Sequence, residues 1–146
     1  MIGLTCSGST DTLMLITLSI HESATALDEF SWFVGLYEGE GCLIAASKPG
    51  RKEGRENRYW NLCMSIKMTD EEPIARAAKF LGVSYKENSE KSRVGRGHKP
   101  VYRVRKSGGL KGELYDLMMR MKPHLCQRRQ EQFDVVIAKV KAGLKP

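Results

Sequence analysis

The chain has 146 residues, 41% of them apolar and 28% charged, which suits one ordinary domain with a core of its own. Twenty-four Lys and Arg against seventeen Asp and Glu leave a formal charge of +7, an excess that favours a polyanionic partner, either nucleic acid or an anionic membrane surface. The four cysteines (Cys6, Cys42, Cys63, Cys126) form no CxxC pair and the three histidines (His21, His98, His124) stand alone, which argues against a zinc site of the usual spacing and against a histidine-based cluster or triad.

Scattered cysteines read most simply as reduced thiols. Leu13 to Ile20 is apolar, but it is too short to span a bilayer and lacks the basic flank of a secretory signal. Residues 1–24 therefore read as a disordered N-terminal extension and residues 25–146 as the domain. The expected setting is intracellular, cytoplasmic or organellar, with no secretion and no membrane partner.

Thr25-x-x-Asp28 has the pattern of a capping box, and Phe30, Phe33, Val34 and Tyr37 follow at helical spacing. This helix should end at Gly39 or Gly41 through a left-handed glycine. Cys42 to Lys48 is a short β-rich run, and Pro49 to Asn57 is a basic, glycine-bearing connection. Tyr59 to Met68 alternates with period two. Trp60, Leu62, Met64, Ile66 and Met68 fall on one face, and Tyr59, Asn61, Cys63, Ser65 and Lys67 fall on the other.

A second helix opens at Thr69 or Asp70, tolerates Pro73 in its first turn, buries Ile74, Ala77, Ala78 and Leu81, and ends at Gly82. Val83 to Glu87 and Pro100 to Arg105 read as two further strands around a basic loop (Lys91 to Lys99). Leu110, Leu114, Leu117, Met118 and Met121 mark a third helix stopped by Pro123, and Phe133, Val136, Ile137 and Val140 mark a last one. The order is α-β-β-α-β-β-α-α, an α+β chain.

Chemistry concentrates in Phe33-Val-Gly-Leu-Tyr-Glu-Gly-Glu-Gly41. Glu38 and Glu40 sit at the C-terminal end of a helix, where its partial negative charge disfavours each acid by roughly 0.3–1 kcal/mol unless something compensates. A bound divalent cation would compensate, and carboxylate oxygens are ligands that Mg²⁺ prefers; the other reading is a solvated turn that holds two glutamates. Gly35 and Gly39 lie on one helix face and would let a second backbone approach. Interior Gly35 costs roughly 1 kcal/mol against alanine, so it calls for a packing reason, either a helix contact or a local feature of the core.

These nine residues resemble the LAGLIDADG motif position by position. Met68-Thr-Asp-Glu-Glu72, Phe80-Leu-Gly-Val83, Lys122-Pro-His-Leu125 and Gln127-Arg-Arg-Gln130 are similar to later landmarks of the same homing-endonuclease family, so the resemblance runs from about Asp28 to Val140. It implies an αββαββα fold with a C-terminal helix and a saddle-shaped antiparallel sheet in the DNA major groove. The implied activity is site-specific cleavage of double-stranded DNA with Mg²⁺ or another divalent cation such as Mn²⁺. Single-motif members are homodimers, which implies pairing through Phe33, Gly35, Leu36 and Gly39. Glu40 is the implied metal ligand and catalytic acid, with Gly39 and, ranked second, Glu38 beside it.

Under that resemblance the polar sheet positions Lys48, Arg58, Asn61, Ser65, Lys67, Arg103 and Arg105 become candidate base contacts. The loop residues Arg51, Lys52, Arg55, Arg93, Arg96 and Lys99 suit phosphates; composition alone leaves a solvated charged surface as the other reading. The family's helper positions fall at Lys67 or Met68 and at Arg105 or Lys106, and both motif acids are Glu where the family name carries Asp. These departures keep open an alternative: a DNA-binding regulator or an RNA intron maturase of the same fold that no longer cuts.

Overall fold

In the computed structural model residues 28–48, 59–87 and 99–143 are described, with Lys48 and Tyr59 by backbone only. Contacts divide the chain after Trp32, and the packing below is that of the unit beginning at Phe33. The expected extension at 1–24, the Thr25 half of the capping box and the loops at 49–58 and 88–98 lie outside the described residues.

Helix α1 covers residues 28–40. It is followed by β1 (Gly41–Lys48), β2 (Tyr59–Met68), α2 (Glu71–Leu81), β3 (Tyr85–Glu87) and β4 (Tyr102–Gly108). Then come α3 (Glu113–Met121), a 3-10 turn (Lys122–His124) and α4 (Gln127–Gly143). The element order is the one read from the sequence, with shifted edges. β3 starts two residues later than Val83, β4 runs Tyr102–Gly108 where Pro100–Arg105 was expected, and α3 opens at Glu113, beyond Leu110.

The strands form one antiparallel sheet in the order β1-β2-β4-β3. Leu43 pairs with Met64, and Ile66 with Val104, so the apolar positions of three strands line one face; all four are 0–1% exposed. Fully burying each such side chain stabilises the fold by about 1.5–3 kcal/mol before entropic costs. The helices close this face. Phe33 of α1 stacks on Phe80 of α2 with centroids 4.5 Å apart, and Tyr37 meets Phe133 of α4 edge-on at 5.6 Å.

The end of α1 differs from expectation. The helix passes at Gly41 straight into β1, and the only positive-φ glycine among the described residues is Gly82 (64°), which ends α2 as expected. Gly41 answers a need for space. A Cβ there would overlap the Tyr37 ring and press on the Tyr37 carbonyl oxygen. Because Gly41 admits that ring, the motif's last residue locks α1 onto the sheet with no loop between them.

Candidate functional site

Three element ends converge where α1 meets β1. Gly41 pairs with Ile66, so Glu40, the last residue of α1, enters the sheet at the end of β2 where Lys67 follows Ile66. The α4 N-terminus comes to the same place: the Cys126 backbone N–H donates to Glu38 Oε2 at 3.2 Å, and Arg129 Nη2 donates to the Glu38 carbonyl oxygen at 2.9 Å.

Glu38 and Glu40 thus differ in circumstance. A hydrogen bond from the Cys126 side chain, that residue's N–H, and nearby Arg129 and Arg128 hold the Glu38 carboxyl below its ordinary value, partly offset by desolvation. Its charge faces the positive end of α4, so it needs no metal to offset the end of α1. Glu38 is an intrachain clasp, its Oε2 already engaged by the start of α4. Glu40 is exposed, and its carboxylate has no hydrogen-bond or ion-pair partner among the described residues. The cation argument drawn from the helix end therefore rests on Glu40, with exposed Gly39 beside it.

A hard divalent cation takes oxygen donors, and a carboxylate next to the orphan carbonyls of a helix end is such a donor set. One chain brings few of them. Among the described residues no three His, Cys, Asp or Glu side chains cluster closely enough to hold an ion.

The intended dimer face divides in two. Gly35 and Gly39 are exposed, and a Cβ at either would meet nothing within 4 Å. Leu36 is half-buried beside them. Phe33 is 0% exposed and stacked on Phe80, so it belongs to the chain's own core and is corrected out of the interface.

The sheet face turned away from the core carries Asn61, Ser65, Lys67, Arg103 and Arg105, all candidates from the sequence. Lys67 pairs with Arg103 and Arg103 with Lys86, so three cations form one row across β2, β4 and β3. Lys86 escaped the sequence reading, and the signal for it is positional: only the register places it beside Arg103. Like charges directly opposite on a sheet repel and destabilise, and none of the described strand residues on this face is an acid. A polyanion laid on the row would relieve it.

Arg105 and Lys106 separate by the pleat. Arg105 is exposed on the open face, next to Cys63. Lys106 points to the helix side, where Nζ donates to the Leu81 carbonyl at 2.8 Å and pairs with Glu113 at 3.0 Å. Lys106 ties the end of α2 to α3, so of the two helper candidates Arg105 is the one on the open face. Lys99 is exposed, whereas Arg51, Lys52, Arg55, Arg58, Arg93, Arg96 and the side chain of Lys48 lie outside the described residues.

Arg129 was also missed. Its Nη1 donates to Gln132 Oε1 at 3.1 Å and its guanidinium carbon lies 5.6 Å from the Tyr37 ring centroid, in addition to the bond to Glu38. No local signal finds a partner so far along the chain. Exposed Arg128 brings a second cation to the same end.

No protein-family model and no curated protein sequence matches the chain. Solved structures do. The homing endonuclease I-CvuI, in complex with the I-CreI target in the presence of Mg, aligns with a TM-score of 0.58 and 16% identity over 80% of this chain and 68% of its own. The LAGLIDADG homing endonuclease I-LtrWI, bound to target DNA, aligns at 0.55 and 11% identity over 78% of this chain and 37% of its own. The homing endonuclease I-TnaI aligns at 0.52 and 20% identity over 72% and 66%. At such identities the likeness is one of fold, and it meets the motif at the same family: this chain has the LAGLIDADG homing-endonuclease fold.

Proposed function

We propose that the protein is a site-specific double-stranded DNA endonuclease that works as a homodimer with a divalent cation. One observation carries this reading: an exposed Glu40 carboxylate, without a partner among the described residues, ends α1 near the Lys67 end of a row of three cations. A surface that attracts phosphates and an acid at its margin are the two halves of a phosphodiester-cleaving site.

The bare Gly35/Gly39 face supports pairing of two chains, since nothing among the described residues lies within 4 Å of a Cβ placed at either glycine. Pairing would bring two Glu40 carboxylates together and supply the donors that one chain lacks. When bound, Mg²⁺ or Mn²⁺ supplies the charge that activates water and stabilises the leaving oxygen. Glu40 binds the ion, Lys67 and Arg103 hold the adjacent phosphates, and Arg105, Ser65 and Asn61 present donors and acceptors to base edges. Glu38 and Arg129 fix the end of α1 so that Glu40 is presented at a constant position.

Duplex DNA carrying randomised sequence, incubated with the protein and Mg²⁺, tests the proposal. Wild type should bind with strong salt dependence and cut. Glu40→Gln should bind equally and not cut. Binding by both without cutting would leave a DNA-binding regulator, and no salt-dependent DNA binding at all would end both readings.

A further inference from the structure

Among the described residues Cys63 is the one buried residue on the open sheet face: it points away from the core, yet it is 1% exposed. Arg105 lies against it, and its Nε donates a hydrogen bond to Cys63 Sγ at 2.7 Å. The two are diagonal neighbours, since Cys63 pairs with Ser107 and Ser65 with Arg105. The arginine therefore leans along the sheet instead of standing off it.

This contact restricts what the arginine can do. A guanidinium has five N–H donors in a fixed plane. With Nε–H given to sulfur, Nη1 and Nη2 remain, and their direction is set by the strand that carries Cys63. A long side chain ordinarily loses rotamer freedom when it binds; here part of that loss has already occurred. We propose that Cys63 is a positioning residue for specificity: by accepting from Nε it holds the Arg105 fork end-on, ready to read O6 and N7 of one guanine. This rests on the sheet being a DNA interface and goes beyond it, because it assigns a role to an apolar-looking position that touches no base.

The test selects bound sequences from randomised DNA duplexes and compares preference at each position. Arg105→Ala should erase a guanine preference of about tenfold at one position, the scale of a good bidentate contact. Cys63→Val, close in volume but with no acceptor, should weaken guanine preference at that same position by about threefold or more and leave the others unchanged. Cys63→Ser, which keeps an acceptor, should restore most of it. A second readout needs no DNA: Cys63 should be alkylated faster in Arg105→Ala than in wild type, measured by peptide mass against exposed Cys42 and Cys126.

If wild type enriches a sequence and Cys63→Val gives the same profile, the positioning role is lost while DNA recognition stands. An unchanged profile in Arg105→Ala, or unchanged alkylation of Cys63, overturns it as well. If wild type enriches nothing, the DNA reading falls first.

Discussion

The carboxylate of Glu38, near the end of the first helix, accepts the backbone N–H of Cys126 at the start of the last, 3.2 Å away. One acid thereby joins the negative end of α1 to the positive end of α4. With Arg129 on the Glu38 carbonyl, the clasp satisfies a free donor at one helix end and a free acceptor at the other.

This clasp depends on pH with a definite sign. Its pKa lies below the ordinary 4.5, so Glu38 contributes stability that is full above that value and is lost as pH falls through the lowered one. An anion at a helix N-terminus contributes ~0.3–1 kcal/mol, and solvent screening puts Glu38 toward the lower end. Glu38→Gln should therefore lower the urea midpoint at neutral pH and lose that deficit at acid pH, once Glu38 has been protonated through its lowered pKa. An equal deficit at both values would show that the charge is irrelevant.

Two glycines of the motif should respond oppositely to alanine. Gly41→Ala drives a methyl group into the Tyr37 ring and should cost about 1–3 kcal/mol, seen as a lower Tm. Gly35→Ala meets nothing within 4 Å and should stabilise the single chain by up to about 1 kcal/mol through helix propensity. A bulkier Gly35→Leu should block self-association measured by sedimentation, if the bare face is where two chains meet. Dimers that persist in Gly35→Leu would place the contact elsewhere.

Cleavage should depend on Glu40 alone of the two motif acids. Glu40→Gln should reduce the single-turnover cutting rate by at least about a hundredfold with DNA affinity within about twofold, and chelating the divalent cation should do the same to wild type. Glu38→Gln should retain cutting to within about tenfold, because its partners are Cys126 and Arg129.

Lys106 and Arg105, adjacent in the chain, should separate cleanly. Lys106→Met removes the bond to Leu81 and the pair with Glu113, costing about 1 kcal/mol of stability by thermal unfolding, with DNA affinity unchanged. Arg105→Met should leave stability within about 0.5 kcal/mol and weaken DNA binding. An unaltered affinity in Arg105→Met would exclude it from the interface.

Local periodicity was enough to read the element order, the alternation along β2 and the stop at Gly82, because each depends on neighbours within one turn or one pleat. The nine-residue motif pointed to the fold for the same reason: its aromatics, acids and first two glycines lie on one helix and its last glycine follows directly. The edges of β3, β4 and α3 escaped, since strand limits are set by which partner is available for pairing. Nor could neighbouring sequence separate Glu38 from Glu40. They look alike until α4, nearly ninety positions later in the chain, brings Cys126 and Arg129 to one and leaves the other bare.

The sequence by itself determined the two faces of β2, the helix that carries the acids and an excess of positive charge. Tertiary structure alone decided how that charge is arranged, because register is a relation between strands: it sets Lys67, Arg103 and Lys86 side by side and turns Lys106 inward. It also decided that the motif's last glycine serves space. The Tyr37 ring, wedged between α1 and β1 and edge-on to Phe133 of α4, leaves no room for a Cβ at Gly41.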